Sequence, residues 1–185
     1  MRAAALAATL LALLLTAGSP GGVAARAQDA PLPGLPNEAA VKAFEMGERL
    51  LRAGKPEQAA QAFDEAARLA PQFHLAHYAA GNALASAGKT REAERRYREC
   101  VAVDPGFAAG WNALGVVLLS GDRLKDALEA FDRALKEDPG HRLARLHRGE
   151  ALVRAGRPAD GEKDAREVLR KEPESAEALV VLARA

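Results

Sequence analysis

The sequence predicts an all-α fold, an α-solenoid of four helix pairs followed by a ninth helix. Three observations predict it. Pro71, Pro105, Pro139 and Pro173 stand 34 residues apart, and Gly47, Gly81, Gly115 and Gly149 keep the same step. A period between about 20 and 50 residues marks stacked supersecondary units that bury their apolar faces on one another. The chain is 49% hydrophobic but only 4% aromatic, so its core is built mainly from Ala, Leu and Val. Alanine-rich sequence punctuated by glycine favours close helix packing, whereas sheets favour β-branched and aromatic residues.

The first segment stands apart from the repeats. Met1 and Arg2 give a basic start, residues 3–15 are almost wholly apolar, and Gly18, Ser19, Pro20, Gly21 and Gly22 precede Ala25-Arg26-Ala27. This order predicts a secretory signal peptide over 1–27, cleaved after Ala27. The apolar run falls short of the about 20 residues that a bilayer span needs. An uncleaved N-terminal membrane anchor is the alternative. Export would make the mature protein periplasmic or secreted, with no membrane insertion after cleavage. Residues 28–37 (QDAPLPGLPN) combine Pro31, Pro33 and Pro36 with Gly34 and read as an extended linker. Asn37 is placed to cap the first helix.

Without Arg2 and Arg26, 24 basic residues face 25 acidic ones. That balance provides no bulk attraction for nucleic acid or an anionic membrane. The single cysteine, Cys100, cannot form a disulfide within the chain.

The prolines set the frame of the units: 40–73, 74–107, 108–141 and 142–175. In each, an early helix carries the glycine, a short turn follows, and a second helix runs to the proline. Three residues after each glycine stands Leu50, Leu84, Leu118 or Leu152. A small residue opens each second helix: Ala59, Ala93, Ala127 and Gly161. One helical turn on come Phe63, Tyr97 and Phe131, but Ala165 in the fourth unit. The small residues are expected where paired helices touch, and the aromatics are expected to fill the gap between one pair and the next. Each proline cannot continue a helix, so it forces the turn into the next unit. Gly54, Gly88 and Gly156 mark the turns within pairs, with Gly121 one position early. Pro56 and Pro158 sit near helix starts, where a missing N–H is harmless.

These columns resemble the tetratricopeptide repeat over residues 40–175. Unit three matches most fully, with Trp111, Leu114, Gly115, Leu118, Ala127, Phe131, Ala134 and Pro139. Ala43 and His77 occupy the tryptophan column of the first two units. Unit four departs at Arg145, Arg148, Gly161 and Ala165. The resemblance implies a right-handed superhelix with a concave groove lined by the first helix of each pair. It assigns to the groove Phe44 and Glu48 in unit one, Leu75, Tyr78 and Asn82 in unit two, Asn112 and Val116 in unit three, and Leu143, Leu146 and Glu150 in unit four. Such a lining suits a protein or peptide partner, with amides to pair with its backbone. The chaperone-binding branch of the family holds a C-terminal carboxylate with a basic and amide clamp. Here Tyr78, Ala113, Leu143 and His147 stand at four of its five positions, so that activity does not transfer.

Residues 176–185 follow as a capping helix with Ser175 at its start. Leu179, Val180, Val181 and Leu182 make it apolar on several sides. Terminal repeats normally carry a polar outer face, so self-association through this helix is the rival to a purely solvating cap.

No residue set argues for an enzyme, a cofactor or a metal. Gly88-Lys89-Thr90 resembles the end of a phosphate-binding loop, but Ala83 stands where that loop needs glycine, and no strand precedes it. His74 and His77 share a helix face without further ligands. Cys100 falls in a small-residue packing column. The expected function is therefore a non-catalytic interaction module or scaffold, exported to the cell envelope. The alternatives are a scaffold that self-associates through its last helix and an accessory subunit of an envelope maturation or glycan-transfer system.

Overall fold

The computed structural model describes residues 36–185. The signal segment expected over 1–27 and most of the linker expected over 28–37 lie outside the described residues. Nine helices, and no strand, occur among the described residues: α1 (Glu38–Arg52), α2 (Pro56–Leu69), α3 (His74–Ser86), α4 (Thr90–Val103), α5 (Ala108–Ser120), α6 (Leu124–Glu137), α7 (Arg142–Arg154), α8 (Pro158–Lys171) and α9 (Ala176–Arg184). None is long and apolar enough to cross a membrane. Each odd-numbered helix up to α7 pairs with the even-numbered one after it, and each pair packs on the next.

Local chemistry sets the helix ends. The Asn37 side chain accepts from the Ala40 amide at 2.8 Å, and its own amide donates to the Leu69 carbonyl at 2.9 Å, so one residue starts α1 and ties it to the end of α2. Pro56 and Pro158 stand in the first turns of α2 and α8. Within each pair the turn needs a left-handed residue. Gly54, Gly88 and Gly156 supply it at φ near +70°, +75° and +74°, but in the third pair Asp122 takes it at +59°. Gly121, one position earlier, has an ordinary φ of −85°. The leucine column closes these turns as well as packing. The amides of Lys55, Lys89, Arg123 and Arg157 donate to the carbonyls of Leu50, Leu84, Leu118 and Leu152 at 2.9–3.0 Å.

The aromatic column does more than fill the gap between pairs. Phe131 meets His147 of the next pair with ring centroids 5.8 Å apart, and Phe63, Tyr97 and Phe131 each also pack closely on the glycine of their own pair. A Cβ on Gly47 would stand 2.6 Å from Phe63, one on Gly81 2.5 Å from Tyr97, and one on Gly115 would likewise collide with Phe131. The glycine is the socket for a ring from the second helix, and a side chain there would push the helices apart.

The fourth pair lacks the ring and closes differently. Gly161 reaches the backbone of Gly149, where an added Cβ would come within 2.7 Å of the Gly149 carbonyl oxygen. Beside it, Arg148 forks onto the buried Asp164 through Nε and Nη2, both at 2.7 Å, and reaches Asp132 through Nη1. These bonds, with Asp164 the largest contributor, hold the Arg148 guanidinium even more firmly protonated than usual. Over Gly149, where the other pairs hold an aromatic ring, lie Val181 of α9, the Gly161 carbonyl and the Cβ of Asp164, with the charged fork beside them.

The tryptophan column links consecutive units. Trp111 Nε1 donates to the Pro105 carbonyl at 2.8 Å, and Arg145 Nη2 to the Pro139 carbonyl at 2.7 Å. His77 Nε2 lies 3.4 Å from the Pro71 carbonyl. Arg145 therefore replaces the tryptophan ring but keeps its bond to the end of the preceding unit.

Candidate functional site

The face built by the first helices begins with an unusual lack of charge. Neither α3 (HLAHYAAGNALAS) nor α5 (AAGWNALGVVLLS) contains Asp, Glu, Lys or Arg, in a chain with 28% charged residues. The neighbouring α4 (TREAERRYRECVAV) is densely charged by contrast. A surface without fixed charge repels no apolar ligand and carries no desolvation penalty for buried ions.

Residues one period apart form columns across this face. Phe44, Tyr78, Asn112 and Leu146 make one column, and Glu48, Asn82, Val116 and Glu150 make the next. Most are partly exposed, as is Leu75, while Val116 and Leu143 are 36% and 46% exposed. Leu146 differs from its expected place on an open groove. It is only 4% exposed, packed with Val168 of α8 and Ala178 of α9. The ninth helix lies over α7 and buries it.

Both asparagines are held from behind. Tyr97 on α4 donates its hydroxyl to Asn82 Oδ1 at 2.8 Å. His147 on α7 places Nδ1 2.9 Å from Asn112 Oδ1, and its ring lies tilted against Phe131 with centroids 5.8 Å apart. Burial lowers the His147 pKa, with Glu150 opposing that shift and His141 adding to it. The Tyr97 hydroxyl is pushed above the usual phenol range, again chiefly by burial. Both groups therefore stay in their neutral, hydrogen-bonding forms near neutral pH.

Two aromatic residues were not singled out from the sequence. Phe73 and Phe107 precede α3 and α5 and lean on the fifth-position residue of the preceding first helix. Phe44 and Phe73 have centroids 5.1 Å apart, and Tyr78 meets Phe107 edge-on at 5.2 Å. His74 completes the group, 5.0 Å from Phe107. Their 34-residue spacing was the available signal; it continues to His141, an imidazole, and to Ser175, which carries no ring.

At the other end of the face, α7 and α9 enclose a cavity of 380 Å³. Leu143, Leu146, Val153 and Val180 supply apolar walls, while Glu150 and Arg184 stand 4.0 Å apart at the rim. Val180 and its neighbour Leu179 are 47% and 48% exposed.

The remaining sequence signals resolve as packing or turns. Gly88, Lys89 and Thr90 form the turn from α3 into α4. His74 and His77 approach different carboxylates, Asp104 at 3.6 Å and Glu99 at 3.3 Å. Among the described residues no group of three or more His, Cys, Asp and Glu could hold a metal ion. Cys100 is fully buried, and burial pushes its thiol up to about 12.

The tetratricopeptide repeat family model matches residues 44–90, 78–142 and 146–185. Among solved structures, the chain is similar to MamA from Desulfovibrio magneticus RS-1, at 23% identity over 80% of this chain and 84% of that one, with a TM-score of 0.73. It is similar to YrrB, described as a TPR protein with an unusual peptide-binding site, at 22% identity over 77% and 74% of the two chains, with a TM-score of 0.68. It is also similar to PilW, described as a widely conserved type IV pilus biogenesis factor, at 22% identity over 80% and 69%, with a TM-score of 0.70. At these identities the likeness is one of fold. No curated protein matches the sequence.

Proposed function

The chain belongs to the tetratricopeptide repeat family, and we propose that it is a non-catalytic interaction scaffold that holds a segment of a partner protein against its first helices. The observation that carries this reading is the uncharged face of α3 and α5, set between Glu48 at one end and Glu150 at the other. An extended segment can bury side chains on Leu75, Tyr78, Val116 and Leu143 while Asn82 and Asn112 meet its backbone. Micromolar affinity, about −8 kcal/mol, suffices for an assembly factor.

We place this activity in the cell envelope, following the secretory character of residues 1–27. The fold shared with a type IV pilus biogenesis factor is compatible with that setting. Mass spectrometry of the mature chain should find Gln28 as its first residue; an intact Met1 would favour the N-terminal anchor. The triple variant Phe44→Ala, Tyr78→Ala, Asn112→Ala should lose crosslinked partners in the envelope. Unchanged crosslinking would sink the groove reading.

The exposed Leu179 and Val180 favour a second reading, a scaffold that associates with itself through α9. In that case deleting 176–185 abolishes assembly in light scattering while the repeats stay helical. A monomer at high concentration in the intact chain counts against it.

A further inference from the structure

The 34-residue register shows which face of α9 is uncovered. Two columns of each first helix face the second helix of the same pair. In the glycine column, Gly47, Gly81 and Gly115 receive Phe63, Tyr97 and Phe131, and Gly149 receives the Gly161 carbonyl and the Asp164 Cβ of α8. In the tryptophan column, Ala43 packs in a cluster with Ala66 and Ala67, and Trp111 in one with Ala134 and Leu135. His77 and Arg145 reach carboxylates of the second helix instead, Glu99 at 3.3 Å and Asp164 at 3.7 Å. One period beyond Arg145 and Gly149 stand Leu179 and Ala183. The ninth helix rests on α7 and α8 through its buried residues Ala178 and Val181. Leu179 and Ala183 stay exposed, although the glycine column is buried in all four pairs. Among the described residues no helix covers them.

A three-residue turn sets every second helix antiparallel to its first, so the uncovered face suits an antiparallel helix. A second α9 fits it by its own sequence. Leu179 and Ala183 lie one helical turn apart on the same face. A two-fold axis level with Val181 brings each Leu179 onto the partner's Ala183, so that a large side chain meets the small column twice. Glu177 and Arg184 lie two turns apart on one flank of that face. In an antiparallel pair the same flanks of the two helices meet, and Glu177 comes beside the partner's Arg184. The midpoint of Glu177 and Arg184 lies within about 1 Å of the level of Val181 along the helix. Size and charge therefore share one centre. In-register parallel helices would instead set Leu179 level with Leu179, and each charge level with its like. The two charges also have capacity left. Arg184 stands 4.0 Å from Glu150, and Arg142 and Ser175 both bond Oε2 of Glu177, leaving Oε1. One face of a nine-residue helix falls short of the about 800 Å² that each partner buries in a standard interface. The association is accordingly weak and reversible.

We infer that α9 pairs with α9 of a second copy of this chain, antiparallel about a two-fold axis, with Leu179 seated on the partner's Ala183 and Glu177 beside the partner's Arg184. Such a contact is closed: it makes a dimer joined through the last helices, not a filament. This inference rests on the reading of α9 as a self-association face.

The test is sedimentation equilibrium of the full chain as purified, at low ionic strength, where exposed charges are least screened. The parent should form a reversible dimer with a dissociation constant of about 10–100 µM. Leu179→Ala should weaken it ~10-fold or more. Glu177→Arg alone and Arg184→Glu alone each set like charges together twice, and each should weaken it ~5- to 20-fold. The double variant Glu177→Arg, Arg184→Glu exchanges the charges and should return to within ~3-fold of the parent. All four variants change exposed residues and should keep the parent's helical signal. A dimer weakened by Leu179→Ala but indifferent to the single charge changes, or not restored by the double variant, would overturn the antiparallel pairing and leave self-association through α9 standing. A dimer that ignores Leu179→Ala and every charge change would overturn the α9 reading as well. A parent that stays monomeric up to about 1 mM would overturn both and leave the face to a helix of another protein.

Discussion

A Cβ on Gly161 would stand 2.7 Å from the carbonyl oxygen of Gly149. In the first three pairs the column holding Gly149 receives an aromatic ring; in the fourth it receives a second backbone. The absence of a ring at Ala165 and of a Cβ at Gly161 are thus two parts of one adjustment. Asp164, on the same helix, places its Cβ over Gly149 and its carboxylate on Arg148.

Replacing Gly161 with alanine should force α7 and α8 apart and cost about 1–3 kcal/mol in urea unfolding. The comparison is Gly54→Ala, where nothing lies within 4 Å of the added atom but φ is +70°. There the cost should come from backbone strain, about 1–2 kcal/mol, without disturbing the packing seen by near-ultraviolet dichroism. A Gly161→Ala protein as stable as the parent would show that the close approach does not constrain the pair.

Asp122 is the one described non-glycine residue with positive φ. Its glycine variant should relieve part of the left-handed cost, roughly 1 kcal/mol for a residue that tolerates this region. The lost contact is with Arg154 Nη2 at 2.8 Å, between exposed side chains, an interaction worth about 0–1 kcal/mol. The Asp122→Gly melting temperature should therefore stay level or rise by a few degrees, about 2–4 °C for each kcal/mol gained. A clear fall would mean that the Arg154 contact outweighs the strain.

Acidification should weaken the fold through two partly buried imidazoles. Burial lowers the pKa of His147, and also of His74, where the Asp104 charge opposes it, from the ordinary 6.5. The unfolded chain then binds more protons than the folded one between the folded pKa and 6.5. Stability is complete above 6.5 and declines as pH falls from there through the folded pKa values. Urea midpoints measured across that interval should slope downward toward acid. His147→Gln, which retains a side-chain donor but does not titrate, should reduce the slope. A His147 resonance titrating above 6.5 would contradict the assigned direction.

Cys100 should be silent toward thiol reagents in the native protein at pH 8 and react fully in urea, since its thiol is buried and pushed up to about 12. Rapid native labelling would require an opening at the contact between α4 and α5.

The periodic part of this architecture was legible because each element repeats the same steric problem. Gly47, Leu50, Ala59 and Pro71 recur in phase, and their spacing alone located the helices and most turns. What the spacing could not assign was direction. A ring at position 63 can face its own pair or the next, and the choice depends on the socket at Gly47 in three dimensions. Leu146 was misplaced for a related reason. Its column is partly exposed in α3 and α5, but the cover provided by α9 depends on packing beyond one unit. The hydrogen-bond partners of Asn82 and Asn112 come from residues 15 and 35 positions away, Tyr97 and His147, which have no spacing in common. Asp122 escaped because its left-handed turn followed the glycine expected to make it.

The bonds from His77, Trp111 and Arg145 to the preceding proline carbonyls suggest how the array would respond to tension. Each joint holds a side-chain contact of different chemistry: an imidazole at 3.4 Å, an indole at 2.8 Å and a guanidinium at 2.7 Å. Pulled along its length, such a chain would lose a contact of different chemistry at each joint, on top of helix packing that is most extensive between the first two pairs. One column of the repeat thus makes the links alike in place and unlike in kind.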